Sequence, residues 1–275
     1  MQLPAEPAKA KAAATYNAAS DHFDDEPLAF WDRYGRRTVE RLGLTDGLTV
    51  LDVGCGSGAS AIPAASIVGS AGHVIGADLA ERLLDLARDK ARRKGLSNLE
   101  FRYGDMEALG YPDAQFDAVI TVFSIFFVPD MTKLVAELWR MVRLGGQLAI
   151  TTWGPRMFEP GSGAWWNAVK AHAPELHSAF TPWERITTVQ AVRKLLTDAG
   201  VPDPAVVAEA GRQSLRAADD WWAIVMGSGY RWTVDQMTAE TARRVQADCL
   251  QQLRDGGATS VETNVIYAVA RKASP

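Results

Sequence analysis

Three glycines at alternate positions, Gly54, Gly56 and Gly58, stand between an apolar run, Leu48 to Val53, and an alanine-rich segment, Ala59 to Val68. That order implies a strand, a bare turn and a helix start. Without Cβ atoms, the turn lets a ligand touch backbone. Asp52 precedes the glycines, and its negative charge favours a cationic ligand over a phosphate. Asp78 follows the glycines by about twenty residues, where an acid can accept both hydroxyls of a ribose. The same residue can cap a helix opening at Ala80. Gly104-Asp105-Met106 adds a further carboxylate and a soft apolar side chain. The first can accept from an amino group such as that of adenine, and the second can pack on its ring. A plain turn would also use a Gly-Asp pair.

The elements that must position these residues are legible as an alternation. Strands are predicted at Thr49–Val53, His73–Ala77, Leu99–Tyr103, Phe116–Val122 and Gln147–Thr152. Helices are predicted at Ser57–Val68, Ala80–Lys94 and Met131–Val142, with Gly95 and Gly145 as stop positions. A β-α-β-α order implies a parallel sheet with helices on both faces and right-handed crossovers. Ligands of such sheets bind beyond the carboxyl ends of the strands, at the switch point.

On either side the pattern changes. Residues 1–13 read as a frayed or helical tail with no core role. Tyr16 to Leu42 is aromatic, and Phe30–Leu42 reads as an amphipathic helix. Trp153 to Trp183 looks like an excursion, and Thr188–Ala199 like a short helix. Ala205–Leu215 and Ser260–Ala270 read as a sheet-closing antiparallel hairpin that carries a helical insertion, including Ala239–Arg254.

The bulk numbers narrow the classes. The chain has 275 residues, 47% of them apolar, enough for a full core. A net charge of -4 argues against a nucleic-acid surface as its main business. Two distant cysteines, Cys55 and Cys249, define neither a disulfide framework nor a metal site, and no metal is expected. No apolar run reaches membrane-span length and the N-terminus lacks a signal-peptide core, so a cytoplasmic protein is the default.

The glycine turn admits two cofactors. Gly54, Gly56 and Ala59 fit G-x-G-x-x-A, the dinucleotide fingerprint, which supports an NAD-linked oxidoreductase. With Asp52 and Gly58 the same stretch reads D-x-G-x-G-x-G. Leu51-Asp52-Val53-Gly54-Cys55-Gly56-Ser57-Gly58, Asp78, Gly104-Asp105-Met106, Phe116-Asp117-Ala118-Val119 and Leu144-Gly145-Gly146 together decide between them. In that order and spacing, over residues 45–152, the chain resembles the class I S-adenosylmethionine-dependent methyltransferases. Within them it is similar to the small-molecule enzymes of the ubiquinone/menaquinone C-methyltransferase group.

The resemblance implies an α/β fold: a doubly wound, mostly parallel seven-stranded Rossmann-like sheet with an antiparallel C-terminal hairpin and a helical lid. It implies one methyltransferase domain over residues 1–275, with an N-terminal lid at 14–44 and a cofactor-binding core at 45–152. Residues 153–186 and 216–258 become substrate-side insertions. S-adenosylmethionine is the implied cofactor. Gly54, Gly56 and Gly58 would pass its methionine part close to backbone, and Asp52 would anchor the region of its ammonium. Asp78 would hold the ribose hydroxyls, Leu79 and Met106 would sandwich the adenine, and Asp105 would bind its amino group. Val122 and Phe123 would lie under the methionine end. The fourth-strand exit, Thr121 to Phe127, lacks an Asn-Pro-Pro-Tyr signature, which weakens a DNA- or protein-glutamine-methylating role.

The implied reaction is methyl transfer to O, C or N of a small, partly apolar or aromatic acceptor, with no nucleic acid as partner and a homodimer left open. A positioned nucleophile and exclusion of water suffice, so no catalytic triad is required. Tyr16 is a candidate partner of the methionine carboxylate, with ordinary packing as the equal alternative. His22 is a candidate base, although a surface or structural histidine is the commoner role. Phe23 and Trp31 would join the lid, with Phe123, Phe126 and Phe127 as a pocket floor. Trp153, Trp165, Trp166, Trp183, Trp221, Trp222 and Trp232 divide between core and pocket. A module that binds the cofactor without catalysis is the further alternative.

Overall fold

The computed structural model describes residues 5–177 and 182–273. It opens with helix α1 (Ala5–Ala19) and helix α2 (Phe30–Leu42), and then the alternation begins. Strand β1 (Thr49–Val53) leads to α3 (Ala61–Val68), β2 (His73–Asp78) to α4 (Glu81–Arg93), and β3 (Leu99–Tyr103) to β4 (Phe116–Val122). Helix α5 (Met131–Met141) and strand β5 (Val142–Trp153) complete the parallel part. The C-terminal third carries α6 (Gly161–His172), α7 (Val189–Asp198), β6 (Ala205–Glu209), β7 (Arg212–Ser214), α8 (Asp219–Met226), α9 (Arg231–Val234) and α10 (Ala239–Asp255). Strands β8 (Ser260–Glu262) and β9 (Val265–Arg271) end the chain.

Seven strands form one sheet in the order β3-β2-β1-β4-β5-β9-β6. The first five pair in parallel, and β9 runs antiparallel to both β5 and β6. This is the doubly wound sheet with an antiparallel closing pair that the sequence implies. Helices cover both faces, so the central strands are apolar on both sides, as Val50, Leu51 and Val53 of β1 show by their burial. One apolar layer joins Val50, Val74, Ala65 and Leu84. The other joins Leu51, Val119, Leu138 and Leu148 and continues to Trp165, Trp221 and Leu250 of the insertion. The strand order reverses between β1 and β4, and the cleft opens there, as the switch-point rule requires. Among the described residues no helix is long and apolar enough to cross a membrane.

Four local expectations are corrected. Helix α3 begins at Ala61, not Ser57, because Gly56 (φ 50°) and Gly58 (φ 85°) hold left-handed backbone that no helix contains. Helix α5 stops at Met141, and Gly145 is no helix stop. It bends the strand at φ 78°, where the β4–β5 register shifts between Phe116 and Ala118. The hairpin breaks into β6–β9 and a separate β7–β8 pair. The Tyr34 hydroxyl wedges in at the break, donating to Thr263 O at 2.7 Å. The excursion after Trp153 folds into α6, its residues 178–181 lying outside the described ones.

Residues 5–13 take the helical form of the expected tail. They belong to α1, which lies against the cleft, while residues 1–4 are outside the described residues.

Candidate active site

A cleft at the carboxyl ends of β1, β2, β3 and β4 holds about 970 Å³ of empty space, open solvent at its mouth included. The glycine turn forms one wall. Gly54 (φ 69°) cannot be replaced freely, because a Cβ there would fall 2.4 Å from Ser124 Cβ. Gly56 also lines the cleft, but Gly58 does not. A Cβ on Gly58 would lie 2.9 Å from Ile62 Cδ1 and 3.3 Å from Phe101 Cζ, so this glycine serves packing.

The N–H groups of the turn are largely spent within the protein. Gly54 and Cys55 both donate to Ala77 O at 2.8 and 3.1 Å, and Gly58 donates to Cys55 O at 2.9 Å. Gly56 N–H donates to Asp78 Oδ2 at 2.8 Å. Asp52 lies behind the turn, fully buried, and does not line the cleft. It accepts from Ser60 Oγ at 2.7 Å and from the backbone N–H of Ala61, the first residue of α3. The helix N-terminus, where a dinucleotide fold seats its pyrophosphate, is therefore met by a carboxylate. Burial pushes the Asp52 carboxyl up to about 7, and its Oδ1 has no partner. Asp52, expected to anchor the region of a ligand ammonium, sits beneath the loop.

The other two carboxylates reach the cleft. Asp78 is held by two backbone donors, Gly56 N–H and Ala80 N–H, the latter at 2.8 Å to Oδ1. Asp78 does not cap α4, whose N-cap is Ala80 without a side-chain bond; it ties down the turn before the helix, and each of its oxygens keeps a free lone pair. Burial raises the Asp78 pKa, and bonds from the backbone of Ala80, Gly56 and Leu79 work against that rise. Asp105 lies across the cleft with Leu79 and Met106. Its Oδ1 accepts from Glu107 N–H at 2.9 Å. Its Oδ2 accepts from Lys9 of α1 at 2.7 Å. Lys9 escaped the sequence reading.

Beyond the carboxylates the wall turns aromatic. Val122 ends β4, Phe123, Ser124 and Phe127 follow it, and Tyr16, Phe23 and Trp31 come from the N-terminal segments. Phe23 stacks on Trp31 with centroids 5.3 Å apart and planes 2° apart. Phe123 has φ 54°, a strained value for a residue with a side chain, and its ring stacks on Trp153 at 3.9 Å. Burial and the charge of Asp78 raise the Tyr16 pKa, so its hydroxyl stays protonated and can donate.

Several expected residues do not reach this wall. His22 lies on the surface, 2.9 Å from Asp25 Oδ2. Phe126 is buried and meets the Trp183 ring edge-on. Trp165 and Trp221 are fully buried around Tyr230 in the insertion core. Of the tryptophans, Trp31 lines the cleft and Trp153 backs it.

Comparison with known proteins agrees with this geometry. Residues 50–146 match the family described as Methyltransferase domain. Aklanonic acid methyltransferase DauC of Streptomyces sp. (strain C5) is 35% identical over 144 residues, which are 52% of this chain and 66% of that protein. The ubiquinone/menaquinone biosynthesis C-methyltransferase UbiE of Marinomonas sp. (strain MWYL1) is 32% identical over 139 residues, covering 50% and 54% of the two chains. The chain thus spans about half to just under two thirds of the length of these curated relatives. Haemonchus contortus phosphoethanolamine N-methyltransferase 2, solved with S-adenosyl-L-methionine, shares the fold. Its TM-score is 0.56 at 17% identity, over 94% of this chain and 56% of that one. Residues 50–146 thus carry a methyltransferase domain of the S-adenosylmethionine-dependent kind.

Proposed function

We propose that the protein transfers a methyl group from S-adenosylmethionine to a small, flat or partly apolar acceptor. The carrying observation is the division of one cleft into a carboxylate end, Asp78 and Asp105, and an aromatic end, Phe23, Trp31, Phe123 and Phe127. The two carboxylates are acceptors that suit the hydroxyls and amino group of a nucleoside. The turn's N–H groups are largely occupied and α3 ends on Asp52, so no phosphate cradle competes. Asp78 would hold the ribose hydroxyls and Asp105 the adenine amino group, with Leu79 and Met106 against the ring. Bound there, the cofactor supplies a methyl group already activated on a sulfonium. The chain's own part is to orient the acceptor, through the stacked rings, and to exclude water. Tyr16 would donate to an oxygen at the methionine or acceptor end.

Calorimetry with S-adenosylhomocysteine tests the first half, and absence of binding at millimolar ligand would sink it. A methyl-transfer assay over flat phenols, quinols and amines tests the second. Transfer to any of them removes the reading of a module that binds without catalysis. In the same assay His22→Ala is expected to retain the wild-type rate, because the ring sits outside the cleft and bonds Asp25. A loss beyond about tenfold, the low end of what a general base contributes, would put His22 back in the mechanism.

A further inference from the structure

Helix α1 crosses the cleft with one large apolar anchor, Tyr16, whose ring meets Phe127 edge-on at 5.5 Å and Phe23 at 6.3 Å. Of its described side chains only Thr15 and Ala19 are buried, yet Lys9, Ala12, Ala13 and Tyr16 line the site. Polar contacts hold the rest of it. Lys9 Nζ lies 2.7 Å from Asp105 Oδ2 and 2.7 Å from Glu107 Oε2. Farther along, Asn17 Oδ1 accepts from Arg82 N–H at 2.9 Å, and the Arg82 guanidinium reaches Asp21 at 2.6 Å. Lys90 pairs with Asp24 just past the helix. Of these attachments, Lys9 alone ends on the carboxylate assigned to adenine.

We infer that Lys9 is the latch that keeps α1 closed over the bound nucleoside and so sets how long the cofactor or its product stays. The inference rests on the nucleoside placement proposed above. A carboxylate offers about four lone-pair sites. Asp105 spends one on Glu107 N–H and one on Lys9, so an adenine amino group fits beside the lysine without displacing it. The bonds to Asp105 and Glu107 raise the Lys9 pKa and keep it charged. Lys9 reaches that carboxylate from α1, so the ion pair exists only while the helix lies across the cleft. Opening the helix breaks two charge-assisted contacts at once. Both partners are about a quarter exposed, so salt weakens the latch.

Stopped-flow dissociation of S-adenosylhomocysteine from the full chain tests this. Lys9→Met is expected to release the ligand roughly three- to tenfold faster, with the association rate within about twofold. Lys9→Arg should restore slow release. Wild-type release should quicken with added salt more steeply than release from Lys9→Met. The charge swap Lys9→Glu with Glu107→Lys should recover part of the lost lifetime, which a merely bulky contact would not. Release from a folded Lys9→Met protein at the wild-type rate would overturn the latch while leaving the nucleoside placement standing. Slower release would overturn it too, because lysine and adenine would then compete. Failure of the wild type to bind would overturn placement and latch together.

Discussion

Asp78→Ala is expected to cost roughly a hundredfold or more in affinity for S-adenosylhomocysteine. A hydrogen bond to a charged group contributes about 1.5–3 kcal/mol. Two ribose hydroxyls therefore account for about 3–6 kcal/mol, and each 1.4 kcal/mol is tenfold. The position acts twice, because the carboxylate also accepts from Gly56 N–H and Ala80 N–H. Alanine leaves both donors unpaired and loosens the glycine turn that the ligand must touch. Asp78→Asn keeps one good acceptor, so it is expected to lose less affinity while its melting temperature stays nearer the wild type. Calorimetry on both variants gives the answer. Affinity for Asp78→Ala within about threefold of the wild type would remove Asp78 from the ribose.

The same residues show how far sequence reaches. Thr49–Val53, Leu99–Tyr103 and Phe116–Val122 have the predicted bounds, because each is a β-branched or aromatic run closed by turn residues. Asp78 and Asp105 stand at strand ends, so the topology alone carries them to one cleft. The failures arise where tertiary contact decides. Asp52 lies inside β1 and Asp78 ends β2, and neither strand's sequence says that one turns under the loop while the other turns out. That outcome depends on Ser60 and Ala61, which meet Asp52 only after the turn has wound back. Gly58 repeats the spacing of Gly54 and Gly56 yet serves packing, because Ile62 and Phe101 crowd it. Lys9 is one lysine in an alanine-rich tail, and its partner Asp105 lies 96 residues on. The tryptophans misled for a simpler reason. A large apolar ring with an N–H suits a pocket or a core equally, and the insertion needed a core of its own.

Asp52→Asn is the other variant with a large effect, and the effect depends on pH. Burial lifts the Asp52 carboxyl from 3.8 to about 7, helped by the charge of Asp78 and opposed by the bonds from Ser60 and Ala61. The unfolded chain releases that proton near pH 3.9. Between there and pH 7 the native protein holds a proton that the unfolded one has lost. This contribution to stability is whole below about pH 4, shrinks as pH rises and is gone above about pH 7. At about 1.4 kcal/mol per unit, the native state at pH 8.5 carries a cost of up to about 4 kcal/mol for an ionised, half-bonded carboxylate. Asparagine keeps the shape and one acceptor for Ser60 or Ala61 and removes the charge. The variant is therefore expected to match the wild type near pH 4 and to exceed it at pH 8.5. Each kcal/mol appears as about 2–4 °C in melting temperature for chains near this size. Because Asp52 does not line the cleft, its affinity for S-adenosylhomocysteine should stay within about threefold of the wild type. Denaturation at the two pH values separates the possibilities. A loss of stability at pH 8.5 would mean that the buried charge is compensated by a partner, and a large loss of affinity would mean that it reaches the ligand after all.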